Sequence, residues 1–489
     1  LLVFSTQLDF VCSRQIHKDA PLAASDDPQT AAAARRRRNF WLLVSLVGNL
    51  GLLGYFKYTN FFLQAFADTA AALGLSVVVP HLDLILPVGI SFYTFQSLSY
   101  TIDVWRGRLT PEPSFRKFAL FVVFFPQLVA GPIVRASELL PQFHKRPRLD
   151  AERMREGLFK IYKGLVKKAV LGDWIAASFT DAVFAAPGTY SSAELLLALY
   201  AFTLQLYADF SGYSDIAIGV ARLLGYDIPE NFDRPHQART VGEFWRRWHM
   251  TLSTWLRDYL FFPLGGSKGS HARTYFNLWL TMFLVGMWHG ASWNFVIYSN
   301  LQALAMLFNR WTRIRAEARG HSAIGWALGI IALPGLLYWL SGWLLHLPDP
   351  TRLGLAVFGA VCFVVLALLP VTGGPVNTAV HVLITFHFTT LSRVFFRAED
   401  LDASREMIAG MLAFDGLGLR DGLLTPWLWA ALILGLGYHF TPRSFVEVHA
   451  YRLFRKLPGV ALGVLLAAIS YLILQLLSSG PRAFIYFQF

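Results

Sequence analysis

Cysteine is nearly absent: Cys12 and Cys362 are the only two in 489 residues. That excludes a disulfide-rich secreted scaffold and a multi-cysteine zinc site. Charge is scarce as well. Charged residues make up 15% of the chain, against about 25% in ordinary globular domains. There is no signal peptide of the basic, apolar, small-residue type, and position 1 is leucine. The chain is therefore expected to be a fragment whose true start lies upstream. Internal repeats, heptad arrays and low-complexity linkers are missing, which leaves no second soluble domain. No HExxH, GxSxG or paired-cysteine motif stands near His289, and the GGSKGS turn at 265–270 does not match a Walker A loop, so metalloprotease, serine-hydrolase and P-loop chemistries are disfavoured.

What the chain has is apolar surface. Hydrophobic residues make up 55%, with 15 tryptophans and a mean hydropathy of +0.45. A run of about 20 apolar residues crosses a bilayer as a helix, so this composition predicts an all-α, polytopic transmembrane bundle. The net charge of +12 is segregated into loops. It points to anionic lipid beside cytoplasmic loops, not to nucleic acid.

Uncharged stretches place candidate spans at 39–56, 84–102, 119–134, 274–309, 321–348, 353–392, 422–442 and 457–480, with a further one across 195–222. Residues 274–309 are long enough for two crossings, with Gly290 as the break between them. Residues 353–392 also need two helices, divided at Pro370–Pro375. Four basic segments should face the cytoplasm. They are Arg35 to Arg38, residues 135–168 with ten Lys or Arg against four acids, Arg310 to Arg319, and 441–456. Residues 397–421 hold six acids against three arginines and fit the outside. This threading requires 119–134 to be re-entrant, broken by Pro126, Gly131 and Pro132. Such backbone at membrane depth lines a wet cavity or is buried in protein, which implies a tunnel-like interior. Residues 151–187, with Lys160, Lys163, Lys167 and Lys168 among apolar residues, read as a basic interfacial helix running into a crossing.

Three polar clusters stand out, because ionisable groups at membrane depth are expensive. YADFSGYSD carries Asp209 and Asp215, which must face a bundle interior or water. A hydrogen bond to a buried arginine and the wall of a substrate or donor tunnel are both open readings. FWRRWHMTLSTWLRDYL places Arg246, His249 and Ser253 at helical spacing on one face, with Trp245, Trp248, Trp255 and Tyr259 as an aromatic interface belt. Arg246, Arg247 and Arg257 there suit an anionic ligand such as a coenzyme diphosphate. GMWHGASWNF sets His289 between Trp288 and Trp293, with Gly286 and Gly290 allowing close backbone approach. An intramembrane histidine serves as a packing residue, as a haem or metal ligand, or as a base near neutral pH.

At these residues the sequence resembles the membrane-bound O-acyltransferases, most closely their bacterial alginate O-acetyltransferase branch. The strings that carry the resemblance are PVGISFYTFQSLSYTIDVWRG (87–107), FFPQLVAGPIVR (124–135), LQLYADFSGYSDIAIG (204–219), ENFDRPHQARTVGEFWRRWHMTLSTWLRDYLFFPLGG (230–266), GMWHGASWNFVIY (286–298) and VFFRAEDL (394–401). The resemblance covers essentially the whole chain. It implies one integral-membrane domain over 1–489, short of its N-terminal membrane segments, with an acyltransferase core at about 84–310. The bundle would surround a tunnel open to a donor on one side and an acceptor on the other. His289 would be catalytic, and His249 a second strongly favoured position. Asp209, Asp215, Arg246, Arg247, Trp288 and Asn294 are candidates for the tunnel wall. The departure comes after the WHG string, where Tyr298, Ser299 and Asn300 replace the family's further Trp-Gly and His-Gly. A role for that downstream histidine has no support here.

The expected activity is transfer of an acetyl group from cytoplasmic acetyl-CoA, as substrate, across a bacterial inner membrane to an exported, alginate-like polysaccharide. No bound cofactor and no metal are expected. A periplasmic acetyltransferase partner is the expected relay, with lipid around the protein and no nucleic acid. Two alternatives remain open: D-alanyl transfer to teichoic acid, and a transporter that moves an acyl donor without chemistry.

Overall fold

The computed structural model describes residues 1–317 except 148, residues 374–476 except 415, 417 and 424, and isolated positions between 338 and 356. Among the described residues every regular element is a helix. Four helical stretches are long and apolar enough to cross a membrane: Pro28–Ala72, Ser192–Leu223, Gly374–Arg397 and Gly459–Leu476. The expected span at 321–348, the first half of the one at 353–392, and Cys362 lie almost wholly outside the described residues.

Three helices form the N-terminal layer: α1 (Leu2–Lys18), α2 (Pro28–Ala72) and α3 (Ile90–Trp105). Asp27 starts α2 by accepting the backbone N–H groups of Gln29 and Thr30, with Pro28 in the first turn. Arg35 to Arg38 therefore sit inside a continuous helix, whereas the sequence reading put them in a loop before the span. Arg37 is tied back to Asp19 at 3.0 Å. Helix α1 escaped the search for uncharged runs because Asp9 and Arg14 interrupt it. Asp9 is fully buried and accepts from Ser45 at 2.5 Å, Asn49 at 3.0 Å and Thr101 at 3.2 Å, which binds the three helices together.

Residues 119–134 are broken, as the prolines and glycine demand. Helix α4 (Phe115–Val122) stops before α5 (Phe125–Leu128), with Pro126 in its first turn. The chain then runs extended into α6 (Ala136–Phe143). Gly89, at φ 75°, begins α3 where a Cβ would come within 2.8 Å of the Leu128 carbonyl oxygen. That approach locks the broken segment to α3.

Helix α7 (Ala151–Val166) continues through wider π-type turns at 167–174 and 176–180 into α8 (Asp181–Ala185). It lies along α9 (Ser192–Leu223), the most buried of the long helices. Two glycine pairs make the contact. A Cβ on Gly164 would fall 2.5 Å from the Gly212 carbonyl oxygen, and one on Gly157 2.9 Å from that of Gly219; the reverse contacts are equally close. Small residues seven apart on each helix bring the backbones together.

Helices α10 (Val241–Arg247) and α11 (Met250–Leu256) precede an antiparallel hairpin of α12 (His271–His289) and α13 (Trp293–Glu317). The C-terminal third holds α14 (Gly374–Leu391), α15 (Val394–Arg397), α16 (Leu401–Ala413), α17 (Pro426–Phe440), α18 (Tyr451–Lys456) and α19 (Gly459–Leu476). A large apolar core surrounds α9 with residues of α3, α10 to α13 and α15, while a smaller one joins α1, α3, α4 and α6. The two ends of α9 differ in charge. At its N-terminus Glu194 pairs with Arg420 of the acidic 397–421 segment at 3.3 Å. At its C-terminal end Arg153 pairs with Asp227 at 3.0 Å, and Lys163 reaches Glu447 at 2.5 Å. The basic segments 135–168 and 441–456 thus share one end and the acidic segment holds the other, as the positive-inside reading requires.

The glycine contact yields a test. Gly164→Ala and Gly212→Ala should each cost about 1–3 kcal/mol through overpacking and lower the detergent melting temperature. Gly51→Ala, with nothing within 4 Å of its Cβ position, should be neutral or gain up to about 1 kcal/mol. Equal behaviour of all three variants would contradict the packing described.

Candidate active site

His289 is the last residue of α12. Gly290 follows with extended backbone, φ −159° and ψ 157°, and ends the helix at the hairpin tip, the break expected at that glycine. Gly286 lets the hairpin close, since a Cβ there would lie 2.2 Å from Ser299 Cβ. The small side chain of Ser299 sits where the two helices approach. The His289 ring is 3% exposed, 5.0 Å from the Trp288 ring and 5.3 Å from that of Phe396.

His249 reaches the same place from another direction. It is not on a helix: it stands between α10 and α11 in the left-handed region, φ 44° and ψ 56°. The expectation that Arg246, His249 and Ser253 share one helical face is therefore overturned. The helix ends at Arg247, and a left-handed residue re-aims the chain. Such a conformation is rare for a non-glycine residue and marks sites held by their surroundings. The imidazole is fully buried, between Phe210 at 4.8 Å, Trp288 at 5.9 Å and Phe92 at 6.2 Å. Both histidines thus pack on Trp288.

Hydrogen bonding sets the tautomer of His249. Asn231 Oδ1 accepts the backbone N–H of Thr251 at 3.2 Å and its hydroxyl at 2.9 Å, so this atom is the carbonyl oxygen. It lies 3.2 Å from His249 Nδ1, which must therefore carry a proton. Nε2 keeps the lone pair, and among the described residues it has no hydrogen-bond partner. A buried imidazole with an oriented N–H and an open lone pair is arranged as a base or an acceptor.

The aspartates lie on a different side of α9. Asp215 meets Lys167 at 2.7 Å, Lys163 at 3.0 Å and Lys160 at 3.7 Å, while Asp209 meets Lys168 at 2.5 Å. Lys160 also holds Glu230. The lysines of α7 thus face other protein groups and not an exposed helix surface. Lys160 and Lys167 are 6% and 7% exposed, because the glycine pairs press α7 onto α9. The partners of the aspartates are lysines, where an arginine was one expected partner. A cavity of about 30 Å³ opens in this cluster, lined by Lys163, Lys167, Tyr207, Asp215 and Asn231. Asn231 is shared between that cavity and His249.

The other candidates are scattered. Arg246 is exposed, and Arg247 pairs with Glu243 at 2.7 Å. Asn294 donates to the carbonyls of Ala398 and Asp400 at 3.0 and 2.9 Å, tying α13 to α16. Trp245, Trp248, Trp255 and Tyr259 are 4–8% exposed and belong to the main core. The expected aromatic belt is thus corrected: the indole N–H of Trp255 is satisfied by the Phe95 carbonyl at 2.8 Å, and that of Trp245 by Gln302 at 3.2 Å. The sequence reading missed Asn231, Thr251 and Phe396 as site residues. All three stand inside strings quoted for the resemblance, but nothing in their local pattern singles them out.

A model of the "MBOAT, membrane-bound O-acyltransferase family" matches residues 108–343, a span that holds both histidines. The peptidoglycan O-acetyltransferase of Helicobacter pylori is 32% identical over 445 residues, covering 86% of this chain and 71% of that protein. The chain belongs to the membrane-bound O-acyltransferase family. The Pseudomonas aeruginosa protein named "Probable alginate O-acetylase AlgI" is 38% identical over 322 residues, 66% of this chain and 60% of its own length. The teichoic acid D-alanyltransferase of Bacillus subtilis is 30% identical over 249 residues, 48% of this chain and 62% of that protein. The chain thus spans about six tenths of the length of the alginate O-acetylase.

The lysine cluster generates a prediction. Asp215→Asn removes the one carboxylate shared by three buried ammonium groups, and should cost about 3–5 kcal/mol. Lys167→Met in the same chain should recover much of that loss, read as melting temperature in detergent. Asp215→Asn protein with unchanged stability and no turnover would instead favour a chemical role for the aspartate.

Proposed function

We propose that this chain is an O-acetyltransferase of the bacterial inner membrane, taking acetyl groups from cytoplasmic acetyl-CoA for O-acetylation of an exported polysaccharide. The observation that carries the reading is the meeting of two buried histidines on one tryptophan, Trp288, with the Nε2 lone pair of His249 open. Support comes from the family and from relatives named for O-acetylation of alginate and peptidoglycan. The relative named for D-alanyl transfer matches less of the chain, and no feature of the site favours that acyl group.

The chemistry needs one base and exclusion of water. A hydroxyl of the acceptor, or of a relay group on a periplasmic partner, attacks the thioester carbonyl of the donor. His289 takes the hydroxyl proton as the new carbon–oxygen bond forms. The carbon–sulfur bond then breaks, and the proton passes to the departing coenzyme A thiolate. Burial strengthens each electrostatic contact and suppresses hydrolysis. His249, held by Asn231, orients the reacting groups or relays the proton.

The test is transfer from radiolabelled acetyl-CoA by the purified full-length protein in nanodiscs, with and without periplasmic proteins encoded beside it. His289→Ala should fold normally and lose at least about 100-fold in turnover. His249→Ala should also lose activity. Donor binding without turnover under every condition would favour the transporter, and transfer of D-alanine but not acetyl would favour the teichoic acid reading.

A further inference from the structure

We infer that Lys57, from α2, is a positioning residue that fixes the catalytic end of α12. This inference rests on the acetyltransferase reading, with His289 as its base.

The reason lies in how α12 ends. A helix leaves its last carbonyls without intrahelical donors, and its C-terminus is the negative end of the helix dipole. Many helices answer with a left-handed glycine that turns backbone N–H groups onto those carbonyls. Gly290 is extended instead, and no such turn forms. The donors come from a helix more than 200 residues away in sequence. Tyr58 Oη donates to the Met287 carbonyl at 2.8 Å. Lys57 Nζ donates to the carbonyls of Trp288 and of His289, the latter at 3.1 Å. Three consecutive carbonyls, ending at His289 itself, are thus held from adjacent positions of α2. The ammonium also lies 5.9 Å from the centre of the Trp288 ring, the ring against which both histidines pack.

A lysine suits this task. One ammonium carries three protons on a long stem, so it can serve two carbonyls at once. Its charge matches the helix end. Lys57 does not act as the base. It holds the backbone from which the base projects, and displacement of a reacting group by about 1 Å costs on the order of 100-fold in rate.

The experiment uses the full-length protein in nanodiscs with acetyl-CoA as donor, and compares Lys57→Met, Lys57→Arg and Tyr58→Phe with wild type and His289→Ala. Lys57→Met should lower kcat about 10- to 100-fold with the donor KM changed less than about twofold, because the donor's own contacts are untouched. Lys57→Arg, which keeps the charge and several donors, should recover most of kcat. A Lys57→Met enzyme with wild-type kcat overturns the inference. So does a loss that follows only the folded fraction and that arginine fails to rescue. If Lys57→Met does not fold, Tyr58→Phe decides: removal of one bond of the same cap should lower kcat about two- to fivefold at constant KM, and an unchanged kcat rejects the cap's role. If His289→Ala abolishes turnover while Lys57→Met leaves it intact, the inference fails alone. If wild type and His289→Ala turn over equally, or not at all, the reading of the site fails and takes the inference with it.

Discussion

The contact between α7 and α9 is the constraint on which the rest of the molecule depends. Two glycine pairs let these backbones approach closely enough that no side chain fits between them. Only at that separation do Lys160, Lys163 and Lys167 converge on Asp215, and Lys168 on Asp209. Charges in a low-dielectric interior are tolerated when paired and intolerable when alone. The glycines and the ion pairs therefore require each other. Together they fix α9, and α9 sets Phe210 in a T-shaped contact with the His249 ring.

From that axis the site is assembled by short, non-helical or interrupted segments. His249 occupies a left-handed position between two short helices, and His289 ends a helix at an extended glycine. In both cases regular structure stops at the histidine. A membrane interior allows such interruptions only where other protein groups supply the missing hydrogen bonds. Here Asn231 and Thr251 do so around His249, and Tyr58 and Lys57 do so behind His289. The polar side chains around the two histidines thus have a common purpose: they hold backbone that a continuous helix would not need held.

The aromatic residues have a different purpose from the one their spacing suggests. Trp255 stacks on Phe95 at 4.1 Å, Phe95 in turn stacks on Trp288 at 5.7 Å, and Trp288 touches both imidazoles. This column links α11 to α3 and α12 through the centre of the bundle. It packs against both histidines, which are buried beneath it.

Much was legible in the sequence. Composition and the long uncharged runs determined a membrane bundle of helices, since a run of about 20 apolar residues satisfies its backbone in lipid by coiling into a helix. The loop charges determined which ends of the bundle lie together. The breaks at Pro126 and Gly290 were legible because proline and glycine act locally. The histidines stood out as rare ionisable groups in apolar surroundings, inside strings that resemble one family. Tertiary structure decided everything that depends on a partner distant along the chain. It faced the lysines of α7 onto other protein groups, where the sequence suggests an exposed basic surface, because the glycines of that helix meet those of α9. It turned the RRWH segment at His249, whose helical spacing is real but interrupted. It also brought Lys57 to a helix end more than 200 residues away, a pairing with no local signature, because a carbonyl without a donor has no sequence of its own.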